Sequence, residues 1–355
     1  MESRDLLLSD QTLFRDESVF TPGYVPEEFS HRDNQLRELE ISLKPGLRGM
    51  NPVNTLVHGP PGTGKTSAVR FLFRRIGEVT QKFIPVYINC EDFETPYSIF
   101  ASIYRKIYGL SPPSTGKPLE SIKEKIFTKL LKDGKSLVVA LDEMDHLFIN
   151  NNIEGVLIDL LKSHVTYGYD KLGVVGIMID EDYMIHLDEK TRSVFNPTRV
   201  FFHPYTREEI HDILSGRVKS GFYEGVMSPS LLDDVVDKTL EGGDLRSGIE
   251  LLRRSALLAE HDSTKEIREK HVKKAYEGNM LMKKNRLSVD EGGLLRIISE
   301  SSDHGSGFIY KKFREDSGIG ITKYNELVKK LEHKKLIKTG YVKGKRGRCR
   351  DITAV

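Results

Sequence analysis

The sequence predicts an α/β protein: a five-stranded parallel sheet covered by helices, then a helical region, then a small C-terminal module of three helices and a hairpin. Three observations predict it. Five short apolar runs, at residues 53–58, 83–89, 136–141, 173–179 and 199–202, are separated by long segments with apolar residues at helical spacing rather than by hairpin turns. Strands joined in this way run parallel and are buried on both faces. The first run leads straight into Gly59-Pro60-Pro61-Gly62-Thr63-Gly64-Lys65-Thr66, a glycine-rich strand-to-helix turn. After residue 285 the pattern changes to amphipathic helices at 289–299, 309–315 and 322–331, followed by β-rich segments at 336–342 and 349–353 around a basic tip.

Each element has a local reason. The first strand ends on a loop that fits G-x-x-x-x-G-K-[ST] at every fixed position. Such a loop turns its backbone N–H groups inward at a helix N-terminus, so Pro61, Gly62, Thr63, Gly64, Lys65, Thr66 and Ser67 form a cradle for a polyphosphate. Lys65 is expected to reach the β- and γ-phosphates, and the Thr66 hydroxyl to ligate Mg²⁺. After the second strand, Thr95-Pro96 reads as a helix start with proline in the first turn. Residues 122–131 form an amphipathic helix leading to the third strand, which ends in Leu141-Asp142-Glu143-Met144-Asp145. An apolar strand delivering two carboxylates to the sheet edge lets Asp142 hold Mg²⁺ while Glu143 orients and deprotonates an attacking water. Asp145 either joins this group or caps the next helix. The implied cofactors are a nucleoside triphosphate with Mg²⁺, and the implied chemistry is NTP hydrolysis.

Composition bounds the rest. With 355 residues, 38% hydrophobic and 30% charged, the chain reads as a water-soluble protein of two or three domains. No apolar run approaches the roughly 20 residues that span a bilayer, and the amino terminus lacks the apolar core of a secretory signal, so the expected location is the cytoplasm and no membrane partner is implied. Cys90 and Cys349 show no metal-binding or disulfide spacing. Residues 286–355 carry 16 Lys and Arg against 9 Asp and Glu, a net of +7 that leaves −5 for the remainder of a chain whose total is +2. The basic end is therefore the candidate nucleic-acid surface.

The Asp-Glu form of the acidic motif, the phosphate loop and the helical region after the fifth strand resemble AAA+ ATPases. Further segments resemble one branch, the archaeal origin-recognition and replication-initiator proteins related to eukaryotic origin-recognition subunit one and cell-division-cycle protein six. Phe20-Thr21-Pro22-Gly23-Tyr24-Val25-Pro26-Glu27 with His31-Arg32 is similar to that family's leading segment beside the adenine, which implies that Tyr24 and Val25 line a base pocket. The stretch 202–210 is similar to the junction between base and helical lid and implies Tyr205 against the adenine and Arg217 as a nucleotide contact. Gly243-Asp244-Leu245-Arg246 resembles the second-sensor motif, which implies Arg246 at the γ-phosphate.

Two departures qualify the resemblance. Ile179 stands where relatives place a polar first-sensor residue, with Asp180 a substitute only if the strand is shifted by one. Lys190 stands where an arginine finger is expected, so Arg192 is the finger candidate or else a surface arginine. Slow hydrolysis, with nucleotide as a conformational latch, is the expectation.

The C-terminal order of elements is that of a winged helix-turn-helix. Lys323, Tyr324 and Asn325 at the start of the third helix are expected in a major groove, and Lys343, Lys345, Arg346 and Arg348 of the wing on phosphates or a minor groove. The expected division is a nucleotide-binding base at 1–203, a lid at 204–284 and a winged helix at 285–355. Together these imply an ATP-binding replication initiator that grips duplex origin DNA and helps recruit the replicative helicase, possible company being other initiator paralogues. A clamp-loader-type AAA+ ATPase and an ATP-gated transcription regulator are the alternatives.

Overall fold

The computed structural model describes residues 12–112, 118–242, 244–285, 287–301, 306–333, 336–344 and 347–354. Lys345, Arg346, Gly243 of the second-sensor motif and the proline-rich stretch 113–116 lie outside them. The chain divides into two units, Gly23–Tyr205 and a second that joins residues 12–22 to everything from Thr206 onward.

The first unit runs α1 (Asp33–Leu47), β1 (Thr55–His58), α2 (Lys65–Val79), β2 (Phe83–Asn89), α3 (Pro96–Tyr108), α4 (Leu119–Asp133), β3 (Ser136–Asp142), α5 (Asp145–Ile149), α6 (Ile153–Leu161), α7 (Ser163–Tyr167), β4 (Leu172–Met178), α8 (Glu189–Val194) and β5 (Thr198–Phe201). The five strands form one parallel sheet in the order β2-β3-β4-β1-β5. Every residue of β3 and β4 is buried, which explains why these strands read as continuous apolar runs.

Successive side chains of a strand enter opposite layers. Leu137, Val139 and Leu141 pack with Phe100, Ile126 and Leu157 of α3, α4 and α6, whereas Val138, Ala140, Val175 and Ile177 pack with Leu39, Leu72 and Ile76 of α1 and α2. Because β3, β4 and β1 are neighbours, their carboxyl ends lie side by side. The phosphate loop after β1, Asp142 at the end of β3 and Ile179 after β4 are thereby gathered at one edge.

In the second unit, α9 (Arg207–Gly221), α10 (Pro229–Gly242), α11 (Leu245–His261) and α12 (Glu269–Asn285) form the helical region. Thr206 and Glu209 close a capping box at the start of α9, and Asp244 caps α11 through Ser247 N–H. The residues from Thr12 to Pro22, expected in the base, pack here instead. Phe20 stacks on Phe222 at 4.5 Å, Phe14 lies 5.4 Å from the same ring, and the Arg15 N–H donates to Gly221 O at 2.8 Å. Gly221 is needed because a Cβ there would overlap the Phe20 ring.

The chain ends in α13 (Val289–Glu300), α14 (Ser306–Ser317), α15 (Ile321–His333), β6 (Ile337–Gly344) and β7 (Gly347–Ala354). The helices and hairpin enclose Leu294, Ile298, Ile309, Phe313, Val328, Leu331, Ile337 and Ile352. This is the three-helix-plus-wing arrangement expected of the segment. The hairpin is longer than its β-rich runs indicate, pairing Ile337 with Ala354 at one end and Gly344 with Gly347 at the other, so Lys343 and Arg348 are paired positions of the ladder.

Tyr324 requires a correction. It is 1% exposed, packed 5.0 Å from the Tyr310 ring and 6.1 Å from Phe313, and so is a core residue rather than a groove contact. A tyrosine among polar residues at a helix start gives no hint of this until helix phase is fixed: Tyr324, Leu327, Val328 and Leu331 share one stripe. Its neighbours point outward, Lys323 with Nζ 3.1 Å from an Asp290 carboxylate oxygen and Asn325 exposed. Tyr324→Ala is expected to destabilise the C-terminal module by about 3–5 kcal/mol, read as a lowered unfolding midpoint, whereas Asn325→Ala shifts stability by less than about 0.5 kcal/mol.

Candidate nucleotide-binding site

β1 ends in His58 and α2 begins at Lys65, so the loop between them spans a strand-to-helix turn of six residues. Its geometry depends on glycine. Gly62 has φ 72° and Gly64, the N-cap of α2, has φ 91°, both in the left-handed region. A Cβ on Gly64 would fall 2.6 Å from the Tyr205 hydroxyl and 3.4 Å from Phe29 Cζ, so glycine there admits two aromatic side chains against the backbone. Lys65 is buried, and its Nζ donates to Gly59 O at 2.6 Å and Pro60 O at 2.9 Å, folding the side chain back over its own loop. Thr63 closes the turn from within, its hydroxyl donating to Pro60 O.

The acidic strand meets this loop directly. The Thr66 hydroxyl donates to Asp142 Oδ2 at 2.8 Å, and Asp142 is 4% exposed at the end of β3. The Glu143 N–H donates to Asp142 Oδ1 at 3.0 Å, and Glu143 itself has φ 53°, a left-handed conformation that a non-glycine residue adopts at a cost of about 1 kcal/mol or more. That turn ends β3 and leads into α5. The neighbouring Asp145 is not an N-cap: it is the first residue of α5, and its Oδ2 accepts the Ile179 N–H at 3.3 Å. Burial, the largest influence, pushes its carboxyl up to about 6 against the pull of that N–H. Asp180 caps a short 3₁₀ turn through the Asp182 N–H, and Ile179 directly follows β4.

Arg32 is a site residue whose role the sequence did not expose. It is 3% exposed, with Nε donating to Thr63 O at 3.1 Å, one terminal nitrogen to His203 O at 2.7 Å and the other to His31 O at 2.7 Å, while its guanidinium carbon stands 3.6 Å from the centre of the Tyr205 ring. The planar fork of arginine thus ties the phosphate loop to the segment that holds Tyr205. An arginine just before a helix is ordinarily exposed, so no local signal marks it.

The remaining expected residues are distributed as follows. Tyr24 and Val25 are half-buried, Val25 against the layer under α2 and with its carbonyl accepting from Arg74; the aromatic of the leading segment that borders Gly64 is Phe29. Pro61 and Ser67 are half-buried at the two ends of the cradle. Arg217 and Arg246 belong to the second unit. There Arg217 donates to Val19 O at 2.6 Å, and Arg246 is exposed in the first turn of α11. Arg192, on α8, is exposed and donates to Ile185 O and Leu187 O at 2.8 and 2.9 Å.

Because the Asp145 carboxyl titrates higher when folded than in an unfolded chain, its contribution to stability is full below the ordinary carboxylate range and is lost as pH rises through about 6. The stability of Asp145→Asn relative to the unsubstituted protein is therefore expected to increase between pH 4 and pH 7, by on the order of 3 kcal/mol, in denaturant unfolding. Parallel profiles would contradict it.

Residues 50–179 match the AAA domain family, and residues 211–277 match the Cdc6 AAA+ ATPase-type lid domain. An ORC1-type DNA replication protein 2 of Methanosarcina acetivorans is 41% identical, covering 100% of this chain and 96% of its own length. Another of that name, from Methanothermobacter thermautotrophicus, is 39% identical over 98% of this chain and 94% of its own. Among solved structures, Aeropyrum pernix ORC1 protein in complex with DNA is similar with a TM-score of 0.69 at 25% identity, covering 97% of this chain and 94% of that one. The Aeropyrum pernix ORC2 protein in its ADPNP-ADP complexes gives 0.75 at 22% identity, covering 96% and 94%, a likeness of fold. With its phosphate loop, Asp-Glu strand end and helical lid, and with relatives matched along nearly its entire length, this chain belongs to the ORC1-type DNA replication protein family of AAA+ ATPases.

Proposed function

We propose that this chain is an ATP-binding replication initiator that binds duplex DNA at an origin and helps recruit the replicative helicase. The observation that carries the reading is the Thr66–Asp142 contact beside Lys65, in a chain matched end to end by ORC1-type DNA replication proteins. Lys65 would leave the Gly59 and Pro60 carbonyls for a nucleotide's phosphates, the cradle from Pro61 to Ser67 would receive them, and Tyr24, Val25 and Tyr205 would face the base. Arg217 and Arg246 would connect the lid to the nucleotide. A hard divalent ion fits the donor set of Thr66 hydroxyl and Asp142 carboxylate, which Mg²⁺ would complete with phosphate and water oxygens. When bound, it would supply charge neutralisation at the phosphoryl oxygens.

Hydrolysis is proposed to be slow. Glu143 would take a proton from water, but Ile179 offers an alkyl group where a polar side chain would orient that water. Arg192 is the candidate to act on a neighbouring protomer's nucleotide, and it would first have to exchange two carbonyl partners. Nucleotide would then serve mainly as a latch whose state sets the shape presented to DNA.

For DNA, Lys323 and Asn325 of α15 are the proposed groove contacts, and Lys343, Lys345, Arg346 and Arg348 the proposed wing contacts. Lys65→Ala is expected to weaken nucleotide binding on the order of 100-fold in calorimetry with ADP, since a charged group's hydrogen bonds are worth about 1.5–3 kcal/mol. Binding to duplex DNA should fall with salt at a log–log slope of about 0.9 per phosphate contacted, and replacing Arg348 by alanine should reduce that slope by about one contact. Genome-wide mapping of bound sites should find one or a few loci; many promoter-proximal sites would overturn the initiator reading.

A further inference from the structure

β2 delivers a phenol to the acidic strand. Tyr87 pairs in register with Ala140 of β3, and its hydroxyl donates to Asp142 Oδ2 at 2.6 Å. The same oxygen accepts the Thr66 hydroxyl at 2.8 Å, while Oδ1 accepts the Glu143 N–H at 3.0 Å. Asp142 therefore has three donors converging on a carboxylate that is almost completely buried. The phenol ring is itself fixed. Arg70, one turn into α2 from the phosphate loop, holds its guanidinium carbon 4.6 Å from the ring centre, and the ring packs on the layer beneath α2.

We infer that Tyr87 is a positioning residue for Asp142, holding the carboxylate in the rotation that presents it together with the Thr66 hydroxyl to a nucleotide-bound divalent cation. This inference rests on the nucleotide-site reading above. The terminal torsion of an aspartate is broad, so packing alone does not fix which oxygen faces the phosphate loop. The Glu143 N–H holds Oδ1, but on the Oδ2 side the Thr66 hydroxyl would also be offering its oxygen to a metal. Tyr87, arriving from β2 on the opposite side of β3 from β4, gives Oδ2 a donor that takes no part in holding a metal. Hydrogen bonds from outside the coordination sphere typically change metal affinity about 10–100-fold when removed.

Tyr87→Phe keeps the ring and the Arg70 contact and deletes only the hydroxyl. ADP binding to the full chain would be measured by calorimetry in excess EDTA and across a Mg²⁺ titration, with Mn²⁺ uptake by the ADP-bound protein followed by electron paramagnetic resonance. The expected result is metal-free ADP affinity within about twofold of the unsubstituted protein, an unchanged unfolding midpoint, and a Mg²⁺ requirement and Mn²⁺ dissociation constant raised about tenfold. An unchanged Mg²⁺ midpoint would overturn the inference. So would an equal loss of ADP affinity with and without metal, which would mark Tyr87 as a structural residue only. Failure of the unsubstituted protein to bind ADP under either condition would instead remove the nucleotide reading, and this inference with it.

Discussion

The hydrogen bond from Thr66 to Asp142 is the interaction on which the site depends. It joins the first turn of α2 to the last residue of β3, two segments separated by 76 positions, and it exists because β4 alone stands between β3 and β1 in the sheet. A parallel sheet aligns strand ends of one polarity along one edge. The acidic strand end and the phosphate loop are brought together by that topology, and buried hydrogen bonds then fix their geometry to within a rotamer.

Around that bond the chain invests in immobilising backbone rather than in burying more apolar surface. Gly62 and Gly64 take left-handed conformations, Glu143 takes one without being glycine, and Lys65 and Arg32 donate to carbonyls of the loop and its surroundings. Each is locally unfavourable or entropically costly. Strain and buried charge of this kind persist where the surrounding packing over-determines them, here two apolar layers on either face of a five-stranded sheet. A loop held in its receptive shape before a phosphate arrives does not have to be ordered at the moment of binding.

The second unit shows a different economy. The aromatic segment from Phe14 to Phe20 is held by a ring stack and by backbone bonds to Gly221, so a stretch with no periodic pattern becomes an integral part of the helical region. At the chain's end, the module of α13, α14, α15 and the hairpin spends Tyr324 on its core and keeps Lys323 and Asn325 outside.

The sequence by itself determined the strands, the phosphate loop, the acidic strand end and the order of the C-terminal elements, because each is set by local periodicity or by a fixed spacing of glycines and charges. β2 came out at its observed limits, and Thr66 and Asp142, each marked by motif alone, are in contact. What only the tertiary structure decided are contacts between segments remote in sequence. The burial of Arg32 against Thr63, His203 and Tyr205, the phenol of Tyr87 on Asp142, the attachment of residues 12–22 to the helical region, and the inward face of Tyr324 all fall in this class. The reason is physical: periodicity says which residues share a face, but not which other segment will cover that face, and a polar side chain reveals its partner only when the chain has folded to supply one.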